Sequence, residues 1–340
     1  MEMADWRHKR TDKRKQLLAC INRLPEDGIE TLLDAALNTM LPTPSRRPDC
    51  PHCRSKKVIK YGKKDGKQRF QCSACSKTFM LTTNTIMAES HQPVWAWEQL
   101  IKDTMHGQSI DHSAQSLEIS HQCAFDMRHK FLLALMDFMA DNQTKLGEVS
   151  ELNETYVLES YKGSKFSDSA IRKPRKHGAK AERPGISSEY ICICTGIQRQ
   201  GDPFAKTVNR AKPSTAELKE VFDGHIDSGT LILCDGLREY QSLNLLSDCA
   251  VADVHSEEYT QQSFYNLNTV NRFHNFIKEQ YRRYRGVATK YLNRYNSLFC
   301  AMYRNPEYMI SVLTERLLGC GRRCFYHSIK DVRSSNLLVI

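Results

Sequence analysis

Four cysteines constrain this chain more than any other feature. Cys50 and Cys53 form one Cys-x-x-Cys pair and Cys72 and Cys75 a second, with eighteen residues between the pairs. Two such knuckles bring four thiolates into a tetrahedron, the closed geometry of structural zinc. The interior VIKYGKKDGKQRFQC carries a Lys-Asp-Gly turn between short strand-like runs, as a zinc ribbon needs. So small a segment has almost no core, and bound Zn2+ would supply most of its folding free energy. A redox pair or four incidental cysteines is the competing reading, and the double spacing argues against it. Residues 45–79 also hold eleven Lys/Arg against two Asp, a balance suited to phosphate. Lys63, Lys64, Lys67 and Arg69 are the ribbon's candidate nucleic-acid contacts.

The whole chain has 340 residues and a net charge of +10, which favours a polyanionic partner. It has no run of about 18 apolar residues, and MEMADWRHKRTDKRK lacks an apolar stretch, so no membrane role is expected. A cytoplasmic, nucleoid-associated protein is the expectation. Thiols stay reduced there, so paired cysteine spacings suggest metal rather than disulfides. Of the other cysteines, Cys192, Cys194 and Cys234 stand in apolar strand runs and read as core. Cys320 and Cys324 have no second pair and carry no metal assignment.

Five segments follow from the pattern. Residues 1–44 read as helical, broken near Pro25, and 45–83 form the ribbon. Residues 92–140 are helical again, with Trp95 and Trp97 as core anchors. Residues 148–300 alternate strands and helices, and 301–340 form a helical tail. Within 92–140, QSIDHSAQSLEISHQCAFDMRHKFLLAL reads as helix, tight turn, helix. Ala114 and Leu117 face inward, Ile119 plugs the turn and Ser120 caps the second helix. That is a helix-turn-helix pattern, with His121, Gln122, Asp126, Arg128 and His129 facing outward toward DNA; a plain helical hairpin is the alternative.

From 148 the strand-like runs are ELNETYVL, EYICICTGI, FAKTVNR, TLILCD and AVADVHS. A helix opens at Ser214 with Glu217 in a capping box, another covers 237–247, and a long one covers 267–284. The order strand, strand, strand, helix, strand, helix, strand, helix fits an α/β unit with a mixed sheet, the element order of the RNase H-like fold. Asp235 stands where a buried strand ends. On the last helix Val270, Phe273 and Ile277 form a buried stripe, while Asn271, His274 and Lys278 share a polar face. A helix-capping acid and a solvated helix face are the alternatives.

These stretches together resemble bacterial insertion-sequence transposases that join an N-terminal zinc ribbon to an RNase H-like DDE-type domain. In one branch the third acid is Asn, giving a D-D-N-K pattern. The resemblance rests on CPHC…CSAC, ELNETYVLESYKGS, RKPRKHGAK…RPGIS, LCDGLREY and NTVNRFHNFIKEQYRRYRGVATKYLNRY, over roughly 45–300. It implies Asp235 as second catalytic acid, Asn271 as third position and Lys278 as the accompanying base. The first acid falls on Asn153, an amide. Such a site holds two Mg2+ or Mn2+ ions about 4 Å apart for strand cleavage and strand transfer. Mg2+ needs anionic oxygen ligands, and with Asn153 and Asn271 only Asp235 is charged, so cleavage is expected to be impaired. Glu154 should point to the opposite strand face, and Glu151 lies on the same face about 7 Å away, so either rescue needs a bulge.

Double-stranded DNA, at element ends and target, is the implied partner, bound by a homo-oligomer on paired ends. Further candidate DNA contacts are Arg172, Lys173, Arg175 and Lys176 in the basic loop 161–188, and Arg282 and Arg283 in YRRYRGVATKYLNRY, whose tyrosines could stack on bases. The competing functions are a catalytically inactive DNA-binding protein or repressor, and a zinc-stabilised nuclease of repair or restriction.

Overall fold

A computed structural model describes residues 47–64, 66–163, 181–254, 264–284, 286–303, 305–319 and 324–333. These form two compact units, one holding residues 47–81 and 89–98, the other 82–88 and the residues from 99 onward. The helices expected over 12–40 and most of the basic loop lie outside the described residues.

In the first unit, β1 (Val58–Lys64), β2 (Lys67–Cys72) and β3 (Thr78–Met80) make a three-stranded antiparallel sheet in that order. Gly66 closes the first hairpin at φ +73°. Each cysteine pair forms the same turn: the Arg54 N–H bonds the Cys50 carbonyl at 2.8 Å, and the Ser76 N–H bonds the Cys72 carbonyl at 2.9 Å. Arg54 and Ser76 both take left-handed φ, 64° and 59°. The core is Cys50, Val58, Phe70, Cys72 and Phe79, with the two phenyl rings stacked at 5.6 Å. Five residues are too few to hold a sheet by apolar burial alone.

Helices α1 (Val94–Met105), α2 (Ile110–Ser116) and α3 (His121–Asp141) follow. Ser109 caps α2 and Ser120 caps α3 through their side chains, and Ala114 and Leu117 are buried. The second unit is built on β4 (Val149–Leu158), β5 (Tyr190–Gln198), β6 (Pro203–Arg210), β7 (Leu231–Cys234) and β8 (Ala250–Asp253). Their order is β6-β5-β4-β7-β8. The first three strands pair antiparallel, and β7 and β8 run parallel to β4. Numbered within the sheet this is 3-2-1-4-5, the arrangement of an RNase H-like sheet.

Both faces are covered, which is why β5 reads as a nearly continuous apolar run. On one face Leu152, Cys192, Cys194, Ile232 and Cys234 pack under α4 (Thr215–Phe222) and a 3-10 helix (Arg238–Leu245). Ser214 and Glu217 form the capping box that starts α4. The opposite face presents Ile197 and Leu233 to Leu267 and Val270 of the segment entering α5 (Asn268–Arg283). Helix α6 (Leu292–Tyr303) lies on β6, where Asn293 and Asn296 bond Thr207 at 2.7 and 2.9 Å. Two further helices, α7 (Pro306–Leu318) and α8 (Ile329–Arg333), complete the unit. Among the described residues no helix is long and apolar enough to cross a membrane.

Candidate nucleic-acid interface and strand-end site

The Sγ atoms of Cys50, Cys53, Cys72 and Cys75 all lie within 4.8 Å of one another. Cys50–Cys75 is 3.7 Å and Cys53–Cys72 3.5 Å. Four thiolates about a tetrahedral ion at 2.3 Å stand roughly 3.8 Å apart, so the cluster fits one divalent ion with no room for a fifth ligand. Burial raises the Cys72 thiol, but the backbone N–H groups of Cys75 and Ala74 and the neighbouring thiols outweigh it and bring it to about 6. Among the described residues this is the one group of three or more His, Cys, Asp or Glu able to hold a metal.

The strand-end residues come from three elements. β4 and β7 run in parallel register, Val149 beside Leu231 and Glu151 beside Leu233. Asn153 stands two residues further along β4, and Asp235 is the exposed residue that follows the end of β7. Asn153 Oδ1 accepts the Glu154 N–H at 2.8 Å, so its amide is turned onto its own backbone. Opposite Asn153 on β5, Thr195 Oγ1 donates to the Asn153 carbonyl at 2.7 Å and meets His274 Nε2 at 2.6 Å. His274 thereby ties α5 to β5, and through the Thr195 hydroxyl to the backbone of residue 153. Asn271, one turn before His274, and Lys278, one turn after it, are both exposed. Burial, then the Lys278 charge, lowers the His274 imidazole to about 4, so it is neutral near pH 7.

Neither neighbouring acid takes the place of an Asp at 153. Glu151 is fully buried and spends both oxygens elsewhere, on Arg199 at 2.9 Å and on the Thr269 and Val270 N–H groups at 2.7 and 2.9 Å. Pairing of β4 with β5 runs unbroken from Ser150 to Leu158, with no bulge to turn Glu154 around. Glu154, half-buried, faces the Tyr240 side of the sheet, where its Oε1 and the Tyr240 hydroxyl are both shielded from solvent. Burial, then the Asp235 charge, raises its carboxyl to about 7.

The basic candidates divide by burial. Lys63 and Lys64 are exposed along β1, while Lys67 and Arg69 are half-buried on β2. The Arg69 guanidinium lies 5.5 Å from the centre of the exposed Tyr61 ring. Gln122 is exposed in the first turn of α3, and Arg282 and Arg283 are exposed at the end of α5. Arg172, Lys173, Arg175 and Lys176 lie outside the described residues.

Arg128 is a correction. It points inward at 0 % exposure and bonds the Ser109 carbonyl at 3.1 Å and Ser113 Oγ at 3.0 Å. His129, also expected outward, is buried against Arg294 at 2.9 Å, and burial followed by the Arg294 charge lowers it to about 3. The reason is that α3 is covered beyond its first turn, by α6 and α8 as well as α2. The tyrosines expected to stack on bases are corrected too. Tyr281 bonds Asn296 at 2.6 Å, and Tyr284 packs on Tyr295 at 5.0 Å. They are a packed aromatic core, not a stacking platform.

Sequence reasoning missed Thr195, Arg199 and the clamping role of Glu151. One signal was available: α5 opens at Leu267 with no Ser, Thr, Asp or Asn cap, so its first N–H groups need an acceptor from elsewhere.

The class these observations define is an α/β unit with a mixed five-stranded sheet and polar side chains meeting across its central strand and the helix packed on it. A family model described as ISXO2-like transposase domain matches residues 145–303, from just before β4 to the end of α6. A protein of Halobacterium salinarum, described as an uncharacterized protein in transposable element ISH50, is 22% identical over 253 residues, covering 74% of this chain and 83% of that one. Among solved structures, a pre-cleavage Mos1 transpososome aligns at TM-score 0.25 and 11% identity, over 64% of this chain and 76% of that one. The mariner Mos1 paired end complex with Mg gives 0.27 and 13%, over 65% and 75%. Scores this low do not establish a shared fold.

Proposed function

We propose that this chain is the transposase-type protein of an insertion sequence, binding the DNA ends of its element, with a strand-cleavage site weakened by the amide at position 153. The observation that carries the reading is the transposase-domain match over residues 145–303, which coincides with the mixed sheet. In this reading Zn2+ occupies the four-cysteine cluster and stiffens the basic ribbon. Lys63, Lys64, Lys67 and Arg69 there, and Arg282 and Arg283 on α5, contact phosphates. Gln122, in the first turn of the helix-turn-helix's second helix, reaches base edges. A reaction on paired ends needs at least one copy of the chain per end.

The residues present do not fit a pair of Mg2+ or Mn2+ ions. Two hard divalent cations require several anionic oxygens. Of the positions implied as catalytic, Asn153, Asp235, Asn271 and Lys278, only Asp235 is an anion. Glu151 is engaged by Arg199 and α5, and Glu154 is half-buried on the other sheet face. The engaged amide of Asn153 favours a second reading: a chain that holds element ends and represses, without cutting.

The discriminating experiment compares the parent with Asn153→Asp on duplexes carrying the element ends. Both should bind, with affinity falling steeply as salt rises. Mg2+-dependent nicking should be weak or absent in the parent and rise by about a hundredfold or more in Asn153→Asp. Equal, vigorous cleavage by the two would sink the argument from metal charge. Cleavage by neither would leave the binding-only reading.

A further inference from the structure

Helix α5 begins without a cap of its own. Leu267 occupies the N-cap position and makes no side-chain hydrogen bond to the first turn. Unsatisfied N–H groups at a helix start, with the positive end of the helix dipole, attract an anion. Glu151 supplies it from the centre of the sheet, 118 and 119 residues away in sequence: its Oε2 accepts the Thr269 N–H at 2.7 Å and the Val270 N–H at 2.9 Å. Its Oε1 takes the Arg199 Nε–H at 2.9 Å. Arg199 in turn donates to the Phe264 and Asn266 carbonyls at 2.7 and 3.1 Å, and its guanidinium lies 5.0 Å from the centre of the Phe264 ring. One carboxylate and one guanidinium thus hold both the segment leading into α5 and its first turn.

A second contact sits one turn later, where His274 meets Thr195, itself bonded to the Asn153 carbonyl. Asn271 lies on the turn between the two. At about 1.5 Å of rise per residue it is within roughly 5 Å, along the axis, of either contact. A helix pinned above and below a residue cannot slide or rotate there without breaking one of them.

We infer that Glu151 and Arg199 form a clamp that seats α5 on β4 and so fixes Asn271 relative to position 153, making both positioning residues rather than metal ligands. The significance of Asn271 rests on the transposase reading; the clamp itself does not. Arg199 is the informative position, because a cation is no candidate ligand and it is partly exposed, so its replacement should leave the fold intact.

Amide hydrogen exchange is measured on the full chain for the parent, Arg199→Met, Glu151→Gln and Glu151→Ala. Arg199→Met should speed exchange across 264–271 by about tenfold, and Glu151→Ala by more, with Glu151→Gln between parent and Glu151→Ala because its carbonyl still accepts an N–H. Exchange in β5 should stay as in the parent. In the Asn153→Asp background, Arg199→Met should lower the turnover of end cleavage about tenfold and leave KM for DNA within about twofold. Unchanged exchange at 264–271 in both Arg199→Met and Glu151→Ala overturns the clamp. Unchanged exchange in Arg199→Met, together with weaker Mn2+ binding in Glu151→Gln, overturns it in favour of a ligand role. Should Asn153→Asp prove inert, the strand-cleavage reading fails and the binding-only one stands, while the exchange data still decide the clamp.

Discussion

The ribbon and the mixed sheet solve the problem of bringing distant side chains together in opposite ways. In the three-stranded unit the four cysteines come from two local turns of identical form, and two of them belong to its core of five residues. In the sheet, Asn153, Thr195 and His274 meet only because strand register, an apolar core on each face and a clamp from Glu151 bring them there. A local motif can place metal ligands with little supporting structure. A site drawn from three elements depends on everything that aligns them.

If that contrast is right and Zn2+ fills the cluster as proposed, the largest effect follows from removing it. A structural Zn2+ in such a cluster is worth roughly 10 kcal/mol or more. Chelation, or Cys72→Ser, should therefore abolish exchange protection across 58–80 while the sheet keeps its own. Full protection of the ribbon after verified metal loss would break the comparison at its first term. Next in size is the core of the sheet. Phe222 is fully buried among Phe204, Tyr240 and the strand cysteines. Phe222→Ala should cost about 3–5 kcal/mol by chemical denaturation and leave zinc content unchanged.

A third effect, about 3 kcal/mol at most, comes from Glu154. Its folded carboxyl is raised to about 7 from an ordinary 4.5, so the folded state holds the proton more tightly than the unfolded one. Below about 4.5 both states are protonated and Glu154 costs nothing. As pH rises toward 7 the unfolded state ionises first, and stability is lost. Glu154→Gln should therefore stabilise the chain at pH 8 and change little at pH 4; equal gains at both would place the cost elsewhere. The smallest effect is at the ribbon surface. Lys63→Ala with Lys64→Ala should lower DNA affinity and reduce the salt slope by about two, with no change in melting temperature.

Much of this architecture is legible in the order of residues. The five strands lie where alternation or apolar runs place them, and Ser214, Glu217 and Ser120 cap the helices they were expected to start. Cys192, Cys194 and Cys234 are core. The inward turn of Arg128 was not legible, because helical spacing gives a face and not the neighbours that will cover it. The same holds for the tyrosines of 281–295: their spacing suits a stacking surface and an aromatic core equally well, and only α6 lying across α5 distinguishes the two.

By itself the sequence determined what depends on short separations: the cysteine knuckles, the strand and helix boundaries, and the presence of an amide at 153. Those outcomes follow from side-chain chemistry within a few residues. Tertiary structure alone decided the fate of the charged groups. Glu151 became a helix cap, Glu154 a half-buried acid on the wrong face, and Arg128 an interior cation. A charge's role is set by the dielectric and the partners around it, and those arrive from other elements, from 15 residues away for Arg128 to 119 for Glu151.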